Sequence, residues 1–191
     1  MSLPIWLTLI PAILIVWMIF IFNRLVRLRN QVRAGWSDID VQLTRRHDLV
    51  PQLVKTVQAY TQHERALLTT LTALRSQAVT SERPAALAGL EAELDKALGQ
   101  VFLLVEAYPD LKADQNFRQL QQDLVETENL LQYARRFYNG AVREFNDRVL
   151  QFPDLIVARL LSFTTAEFYS ADDAHRENVQ VSHFYNKDKQ Q

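Results

Sequence analysis

Hydrophobic residues run from position 3 to position 22 with no charge and a single hydroxyl, that of Thr8. At about 1.5 Å per residue this run forms a helix about 30 Å long, which matches the hydrocarbon thickness of a bilayer. A secretory signal peptide carries basic residues before a shorter apolar core, whereas here the first basic residue, Arg24, comes after the run. The pattern predicts a retained transmembrane anchor over residues 1–23.

Beyond the anchor, apolar residues recur at steps of three and four, which is typical of α-helices. The near-heptad spacing predicts an all-α fold, an antiparallel up-and-down bundle of about four long helices. We expect five residues to be mostly buried: Trp36, Leu43, Tyr60, Leu124 and Tyr138. The three stripes are Val32, Trp36, Ile39, Leu43, Val50, Leu53, Val57, Tyr60, Leu67, Leu71 and Leu74; Leu87, Leu90, Leu94, Ala97, Val101, Leu104 and Tyr108; and Phe117, Leu120, Leu124, Thr127, Leu131, Ala134, Tyr138, Ala141 and Phe145.

Turn-forming residues separate the stripes. They predict helix breaks at residues 80–84, 108–110 and 151–153, with Ser81 as an N-cap. A short apolar segment, residues 155–163, then forms a short C-terminal helix that either caps the bundle or lies on a membrane surface. The resulting division is an anchor, a helical bundle over residues 24–163 and a polar C-terminal tail over residues 164–191.

Pro51 interrupts the first stripe. Proline removes one helical hydrogen bond and clashes with the carbonyl four residues back, that of His47, so the helix either kinks or turns there. The unbroken register favours a kink. The shortness of the second stripe favours a turn, because a straight helix would keep half of its apolar stripe uncovered. We favour the turn, with Asp48 as the next cap and bundle helices over residues 32–46, 53–78, 87–106 and 111–150.

Three polar residues occupy core-facing positions of the stripes: Arg46, Glu64 and Thr127. In one interpretation they reach solvent from the edge of a stripe. In the other they form a buried polar layer that sets the register of the helices. Neither interpretation makes an active site.

Composition narrows the function classes. The chain has no cysteine, hence no disulfide, thiolate nucleophile or thiolate zinc site, and its four dispersed glycines cannot build a phosphate-binding loop. The net charge of -1, from 21 Lys+Arg and 22 Asp+Glu, argues against nucleic-acid binding. We therefore expect no cofactor, no nucleic-acid partner and no enzymatic activity.

The histidines do not form a metal-binding pattern. His63 and Glu64 begin a zincin-like motif, but the fourth position after His63 is Leu67 and not a second histidine. The other histidines lie at the predicted turn and in the tail, and we expect them to be solvated or capping: His47, His175 and His183.

Four arginines follow the anchor: Arg24, Arg27, Arg29 and Arg33. Each gains about 1 kcal/mol when it lies near anionic lipid headgroups. Because arginine-rich flanks of a membrane span stay on the cytoplasmic side, we expect the N-terminus outside and the bundle in the cytoplasm.

Two long blocks of residues stand in order over about residues 23–163. The first block includes Trp36, Asp38, Asp40, Arg45, Arg46, Pro51, His63 and Glu64, and the second includes Tyr108, Pro109, Tyr138 and Asn139. These blocks resemble the LemA family of bacterial membrane proteins, with small departures at Gly35, where alanine is expected, and Phe22, where tyrosine is usual. The resemblance implies a single N-terminal anchor, a helical bundle and no established enzymatic activity. Some relatives are linked to magnetosome membranes, and others are thought to work near membrane metallopeptidases.

These observations favour a single-pass protein of the bacterial inner membrane that acts as a scaffold or adaptor for a membrane protein partner. One alternative is a homo-oligomer that shapes or protects the membrane. A second alternative is an accessory factor of a membrane metallopeptidase. In each case the partners are the lipid bilayer and a protein.

Overall fold

The computed structural model describes residues 6–61, 64–81 and 83–169. Within these ranges the four long helices run up, down, up and down, and no strand occurs, so the predicted all-α bundle is confirmed. An extended segment over residues 163–169, called the strip below, follows the last helix. The helices are α1 (Trp6–Gln58), α2 (Arg65–Thr80), α3 (Pro84–Val105), α4 (Pro109–Ala113), α5 (Gln115–Leu150) and α6 (Asp154–Leu160).

α5 forms as its hydrophobic stripe predicts. All nine predicted core positions from Phe117 to Phe145 are buried. The helix begins at Asp114, whose Oδ1 accepts a hydrogen bond from the backbone N–H of Phe117 at 2.8 Å. This bond, together with one from the Tyr60 hydroxyl, lowers the pKa of Asp114. The apolar stripe and the cap together account for a helix that extends along the whole bundle.

α1 and α5 approach closely at Gly35. A Cβ atom at this position would lie 3.0 Å from the Cα of Tyr138 and 3.1 Å from Cδ1 of Phe137. Alanine here would therefore require the two helices to move apart by a few tenths of an ångström. Glycine at this position allows the side chains of Trp36 and Tyr138 to pack, with their ring centroids 5.5 Å apart.

α1 continues through Pro51, so the predicted turn is wrong. The carbonyl of His47, which cannot receive a hydrogen bond from the proline, accepts one from Nε of Arg75 in α2 at 3.1 Å. Since an unpaired buried carbonyl costs about 1 to 3 kcal/mol, this contact offsets much of the penalty of an internal proline. Pro51 is exposed, and Asp48 lies inside the helix and not at a cap.

The chain instead reverses after Gln58. The backbone N–H groups of Tyr60 and Thr61 donate to the carbonyl of Val57 at 3.0 and 3.1 Å, which closes the end of α1. The predicted bounds of the first two bundle helices are therefore wrong. Ser81 is also not an N-cap, because its N–H closes α2 on the carbonyl of Ala78 and α3 begins at Pro84.

Two groups of buried residues fill the bundle. The proximal core, near the anchor, contains Ile21, Leu25, Leu28, Val32, Ile39, Leu43, Ala78, Leu87, Ala88, Leu131, Ala134, Tyr138, Ala141, Val142, Phe145, Val149, Val157, Ala158 and Tyr169. The distal core contains Val50, Leu53, Val57, Leu68, Leu71, Leu94, Ala97, Leu98, Val101, Val105, Leu111, Phe117 and Leu124. α5 covers α1 along both cores, whereas the α2–α3 hairpin covers mainly the distal one.

The burial predictions are confirmed for Leu43, Leu124 and Tyr138, and Trp36 is half-buried. Tyr60 is 39% exposed, so its prediction is wrong. It lies just after the end of α1, and its hydroxyl donates to Oδ2 of Asp114 at 2.9 Å.

The first part of α1 extends beyond the bundle. Residues 9–20 are all exposed, whereas Ile21 is only 6% exposed. In the part of the chain that the structure describes, α1 is the one helix long and apolar enough to cross a membrane. The bundle therefore begins within one helical turn of the end of the predicted anchor.

Candidate functional site: a buried charge layer and two apolar surfaces

A layer of charged residues separates the two cores. Nη1 of Arg46 lies 3.1 Å from Oε2 of Glu91 and 3.3 Å from Oε2 of Glu128, while Nη2 contacts Oδ1 of Asp95. Oε1 of Glu91 lies 2.7 Å from Nε2 of His47. The side chains of Arg46 and Glu91 are 4% and 0% exposed. Because a buried charge must be paired, these contacts make α1, α3 and α5 depend on one another for their register.

The other two predicted polar positions differ in burial. Thr127 is fully buried, and its hydroxyl donates to the carbonyl of Asp123 at 2.7 Å. Glu64 is only half-buried, before the first turn of α2, where its Oε1 accepts a hydrogen bond from the hydroxyl of Tyr108 at 3.0 Å. This hydrogen bond, with burial and the charge of Glu64, raises the pKa of Tyr108. The hydrogen bond between Glu64 and Tyr108 therefore connects the start of α2 with the start of α4. Glu64 is not part of the charge layer.

Of the layer's members only Arg46 was predicted from the sequence, and the two most buried of the other four are His47 and Glu91. His47, expected to be solvated or capping, is 6% exposed, and Glu91 has no exposed surface at all. Glu91 follows Leu87 by four residues and precedes Leu94 by three, so its position in the apolar stripe of α3 was a usable signal. His47 carried no such signal, because its role follows from Glu91 on another helix.

The layer has the composition of a structural ion network. Among residues 6–61, 64–81 and 83–169, no group of three or more histidine and carboxylate side chains is placed to hold a metal ion. A cleft of about 430 Å³ opens beside His47 and is lined also by Trp36, Asp48 and Arg75. Two of its polar groups have partners within the bundle: Nε of Arg75 donates to the His47 carbonyl, and Nε2 of His47 contacts Glu91.

Two asparagines on α5 hold the strip. Asn139 donates to the carbonyl of Tyr169 and accepts from its N–H, both at 2.9 Å. Asn146 makes the same pair of bonds with Ala166, at 2.9 and 2.8 Å. Seven residues of helix rise about 10.5 Å, and three residues of extended chain span about 10 Å, so the two spacings match. The strip therefore runs antiparallel to α5.

Tyr169 ends the described strip in the proximal core. Its ring centroid lies 6.2 Å from that of Trp36, and the guanidinium carbon of Arg135 lies 5.1 Å from it. Burial raises the pKa of Tyr169 to about 12. The neutral phenol is thus strongly favoured in the folded state. The buried Tyr169 side chain holds the end of the strip in the proximal core.

A first exposed apolar surface, the α1–α5 groove, lies between the two long helices. It is lined by Val41 and Gln42 of α1 and by Leu130, Tyr133 and Phe137 of α5, and its volume is about 320 Å³. Tyr133 is 66% and Phe137 52% exposed. Oε1 of Gln42 is buried without a hydrogen-bond partner among the described residues. Exposed apolar surfaces of this kind mark binding sites.

A second apolar surface, the membrane-end patch, surrounds α6. Five large hydrophobic side chains are between 44% and 79% exposed over residues 150–161: Leu150, Phe152, Ile156, Leu160 and Leu161. On the opposite side of the same short helix, Val157 and Ala158 are buried and cap the proximal core. α6 therefore has two apolar faces, one packed against the proximal core and one exposed.

The four arginines after the anchor are exposed at the same end of the bundle: Arg24, Arg27, Arg29 and Arg33. The guanidinium carbon of Arg29 lies 5.0 Å from the ring centroid of Phe163, which also packs edge-on against Phe22 at 6.1 Å. These four arginines and the membrane-end patch therefore lie side by side.

Comparison with known proteins connects this arrangement with a family. The model of the LemA family matches residues 35–183. The chain belongs to the LemA family. Among curated relatives it is similar to the magnetosome proteins MamQ 2 and MamQ 1 of Paramagnetospirillum magneticum, each 22% identical over 179 residues, covering 80% of this chain and 66% of the relative. Magnetosome protein MamQ of Magnetospirillum gryphiswaldense is 20% identical over 174 residues, covering 78% and 64%. The chain thus spans just under two thirds of the length of these relatives.

The LemA motif residues fall into distinct structural groups. Asp38 and Asp40 are exposed on α1. Nη2 of Arg45 contacts Oε2 of Glu126 at 3.0 Å on the surface between α1 and α5. Pro109 begins α4. His63 lies outside the described residues.

Tyr138 and Asn139 belong to the contact with the strip, since the Tyr138 hydroxyl donates to the carbonyl of Glu167 at 2.7 Å. Much of the LemA motif in the described residues thus maintains the bundle, through the charge layer, the turns and the strip.

Proposed function

We propose that this chain is a membrane-anchored scaffold or adaptor that acts by protein–protein interaction at the bacterial inner membrane, without catalysis. The observation that carries this proposal is the α1–α5 groove. It combines exposed aromatic side chains with a buried acceptor, Oε1 of Gln42, that has no hydrogen-bond partner in the described part of the chain. A partner that supplies apolar side chains and one donor would fill both needs.

The position of the groove supports a membrane-tethered partner. Val41 lies nineteen residues after Phe22 on one continuous helix, which corresponds to about 28 Å along the helix axis. A single-pass partner whose helix continues out of the bilayer would lie alongside α1 at this height. Helices that dock in grooves use apolar anchors spaced three, four and seven residues apart, and the groove presents Leu130, Tyr133 and Phe137 with the same spacing.

A matched set of photocrosslinkers tests the groove. A photoreactive amino acid replaces Tyr133 in one variant and Leu103, which is 75% exposed on α3, in the control. We expect the Tyr133 variant to yield a discrete crosslinked protein in native membranes, and Phe137→Ser to abolish it while the bundle keeps its helical circular dichroism. Equal crosslinking from both positions contradicts the proposal.

The identity of the crosslinked protein distinguishes the alternatives. A product of twice the subunit mass that contains only this chain favours a homo-oligomer that shapes or protects the membrane, and a large monodisperse particle after detergent extraction agrees with it. A membrane metallopeptidase in the product favours the accessory role. The relatives are named as magnetosome proteins, and that name does not choose among these partners.

The proposed orientation places the bundle in the cytoplasm and the N-terminus outside. Arg24, Arg27, Arg29 and Arg33 support it, because arginines that flank a span remain on the cytoplasmic side. The absence of cysteine permits a clean test: Ser2→Cys and Leu103→Cys are treated in intact cells with a membrane-impermeant maleimide. We expect Ser2→Cys to be labelled and Leu103→Cys to be protected. Labelling of Leu103→Cys alone reverses the orientation.

A further inference from the structure

The environment of α1 changes abruptly next to α6. Phe20 is 71% exposed, whereas Ile21 and Leu25 are 6% and 0% exposed. Val157 and Ala158 of α6 belong to the same core as Ile21 and Leu25. α6 packs on α1, and Phe163, three residues after α6, lies beside Phe22 and Arg29 at the end of the apolar run.

This position sets the height of α6 relative to a bilayer. The apolar run that ends at Phe22 fills the hydrocarbon thickness once, at about 30 Å. Leu25 lies about 4.5 Å further along the helix. The headgroup layer adds about 5 to 7 Å on each side of the hydrocarbon core. α6 packs on α1, and Phe163, three residues after α6, contacts Phe22 and Arg29. α6 therefore lies near the level of the headgroups when α1 spans the membrane.

The free face of α6 has the composition of a membrane-interface segment. Ile156 and Leu160 are one helical turn apart and are 53% and 65% exposed, and Phe152, just before the helix, is 79% exposed. Segments that lie at the boundary between headgroups and acyl chains present such apolar side chains together with arginines. Arg159 is exposed on α6 itself.

Charge at this end also suits a lipid surface. Arg24 and Arg27 are exposed on α1, and Asp154 of α6 is buried, only 6% exposed. Two carboxylates, Glu144 and Asp147, are exposed on the last turns of α5. Residues 21–33 contain four arginines and no carboxylate, so the surface next to the anchor is positive.

We propose that the membrane-end patch inserts into the headgroup region of the bilayer, with phospholipid as its occupant. The patch is continuous with the lipid-facing surface of the anchor through Phe22 and Phe163, whose ring centroids are 6.1 Å apart. The bundle then has two attachments to the membrane, α1 and α6, which restrain its tilt. A restrained tilt holds the α1–α5 groove at a constant orientation toward other membrane proteins.

Single cysteines test the insertion of the membrane-end patch in the whole chain, which contains no native cysteine. Nitroxide labels are placed at Ile156 and Leu160, at the lipid-facing anchor residue Ile13 as a reference, and at Leu103 as an aqueous control. The protein is reconstituted in vesicles of phosphatidylcholine and phosphatidylglycerol. Collision of each label with membrane-soluble oxygen is compared with collision with a water-soluble nickel chelate.

We expect the oxygen-to-nickel collision ratio at Ile156 and Leu160 to be severalfold higher than at Leu103 and lower than at Ile13. All substituted side chains are exposed, so the labelled variants retain the helical circular dichroism of the native bundle. A ratio at Ile156 equal to that at Leu103 overturns the proposal. A low rate of collision with the nickel chelate at Ile156 in native membranes, but not in lipid vesicles, also overturns the proposal. A protein and not phospholipid would then cover the patch. Neither result alters the test of the α1–α5 groove, which uses different residues.

Discussion

The proximal and distal cores share α1 and α5, but different elements close them. The distal core is closed by the α2–α3 hairpin through aliphatic contacts such as those of Leu71, Leu94 and Val101. The proximal core receives three buried residues, Ala78, Leu87 and Ala88, from α2 and α3 and is otherwise closed by α6 and by the strip, which depends on the side-chain amides of Asn139 and Asn146. Between the two cores lies the charge layer of Arg46 and Glu91. The bundle thus uses packing at one end, specific hydrogen bonds at the other and an ion network at their boundary.

The largest expected effect comes from removing one partner in the charge layer. Glu91→Leu leaves Arg46 and His47 buried without their shared carboxylate, and we expect a loss of about 3 kcal/mol in the free energy of unfolding. Arg46→Met together with Glu91→Leu removes the unpaired buried arginine and should recover part of that loss, while His47, Asp95 and Glu128 still lack their partner in the layer. Denaturant unfolding in detergent measures both. A loss below about 1 kcal/mol for the single variant would mean that the layer does not couple the cores.

A matched pair of leucines separates the two cores. Leu124 in the distal core is 5% exposed and Leu131 in the proximal core 0% exposed. Each change to alanine should cost about 2 to 5 kcal/mol. If the charge layer divides the bundle, hydrogen exchange should accelerate mainly in α3 for Leu124→Ala and mainly in α6 and the strip for Leu131→Ala. Identical exchange patterns would show that the two cores unfold as one unit.

A smaller effect is expected at the strip. Asn139→Ala removes two hydrogen bonds to Tyr169, and we expect a loss of about 2 kcal/mol at about 1 kcal/mol per bond. Asn129, exposed on the same helix, provides the control change to alanine. Hydrogen exchange should rise in the strip and stay constant in α2 and α3. If α2 and α3 also lose protection, the strip is part of the distal unit.

The smallest effect is a pH dependence that belongs to the proximal core. Burial raises the pKa of Tyr169 to about 12 in the folded protein, above the value of 10.0 for an exposed tyrosine. A raised pKa means that the stability is fully present below pH 10 and is lost as the pH rises toward 12. At pH 11 the loss is about 1 kcal/mol. Tyr169→Phe removes this component, so in thermal unfolding the native protein should lose stability relative to Tyr169→Phe as the pH rises from about 10 to about 12; a difference that does not change with pH contradicts it.

The helical class, the third stripe and the apolar segment at the start of α1 could be predicted from the sequence, because each depends on residues close together in the chain. The periodicity of residues 117–145 predicts which face of α5 is buried, and Asp114 marks the start of this helix. Arg46 and Thr127 could be identified as candidates for burial for the same reason, since a polar residue in the phase of an apolar stripe is visible in the sequence.

Only the tertiary structure decided what those residues contact. Pro51 does not end α1, because Arg75, from another helix, satisfies the carbonyl that the proline leaves free. His47 is buried because its Nε2 pairs with Oε1 of Glu91, 44 residues away in the chain. Asn139 and Asn146 hold a strip that starts beyond α6, through bonds across 30 and 20 residues. Local periodicity thus determined the helices and their buried faces, whereas hydrogen bonds and ion pairs between distant residues determined where α1 could continue and how the bundle was closed.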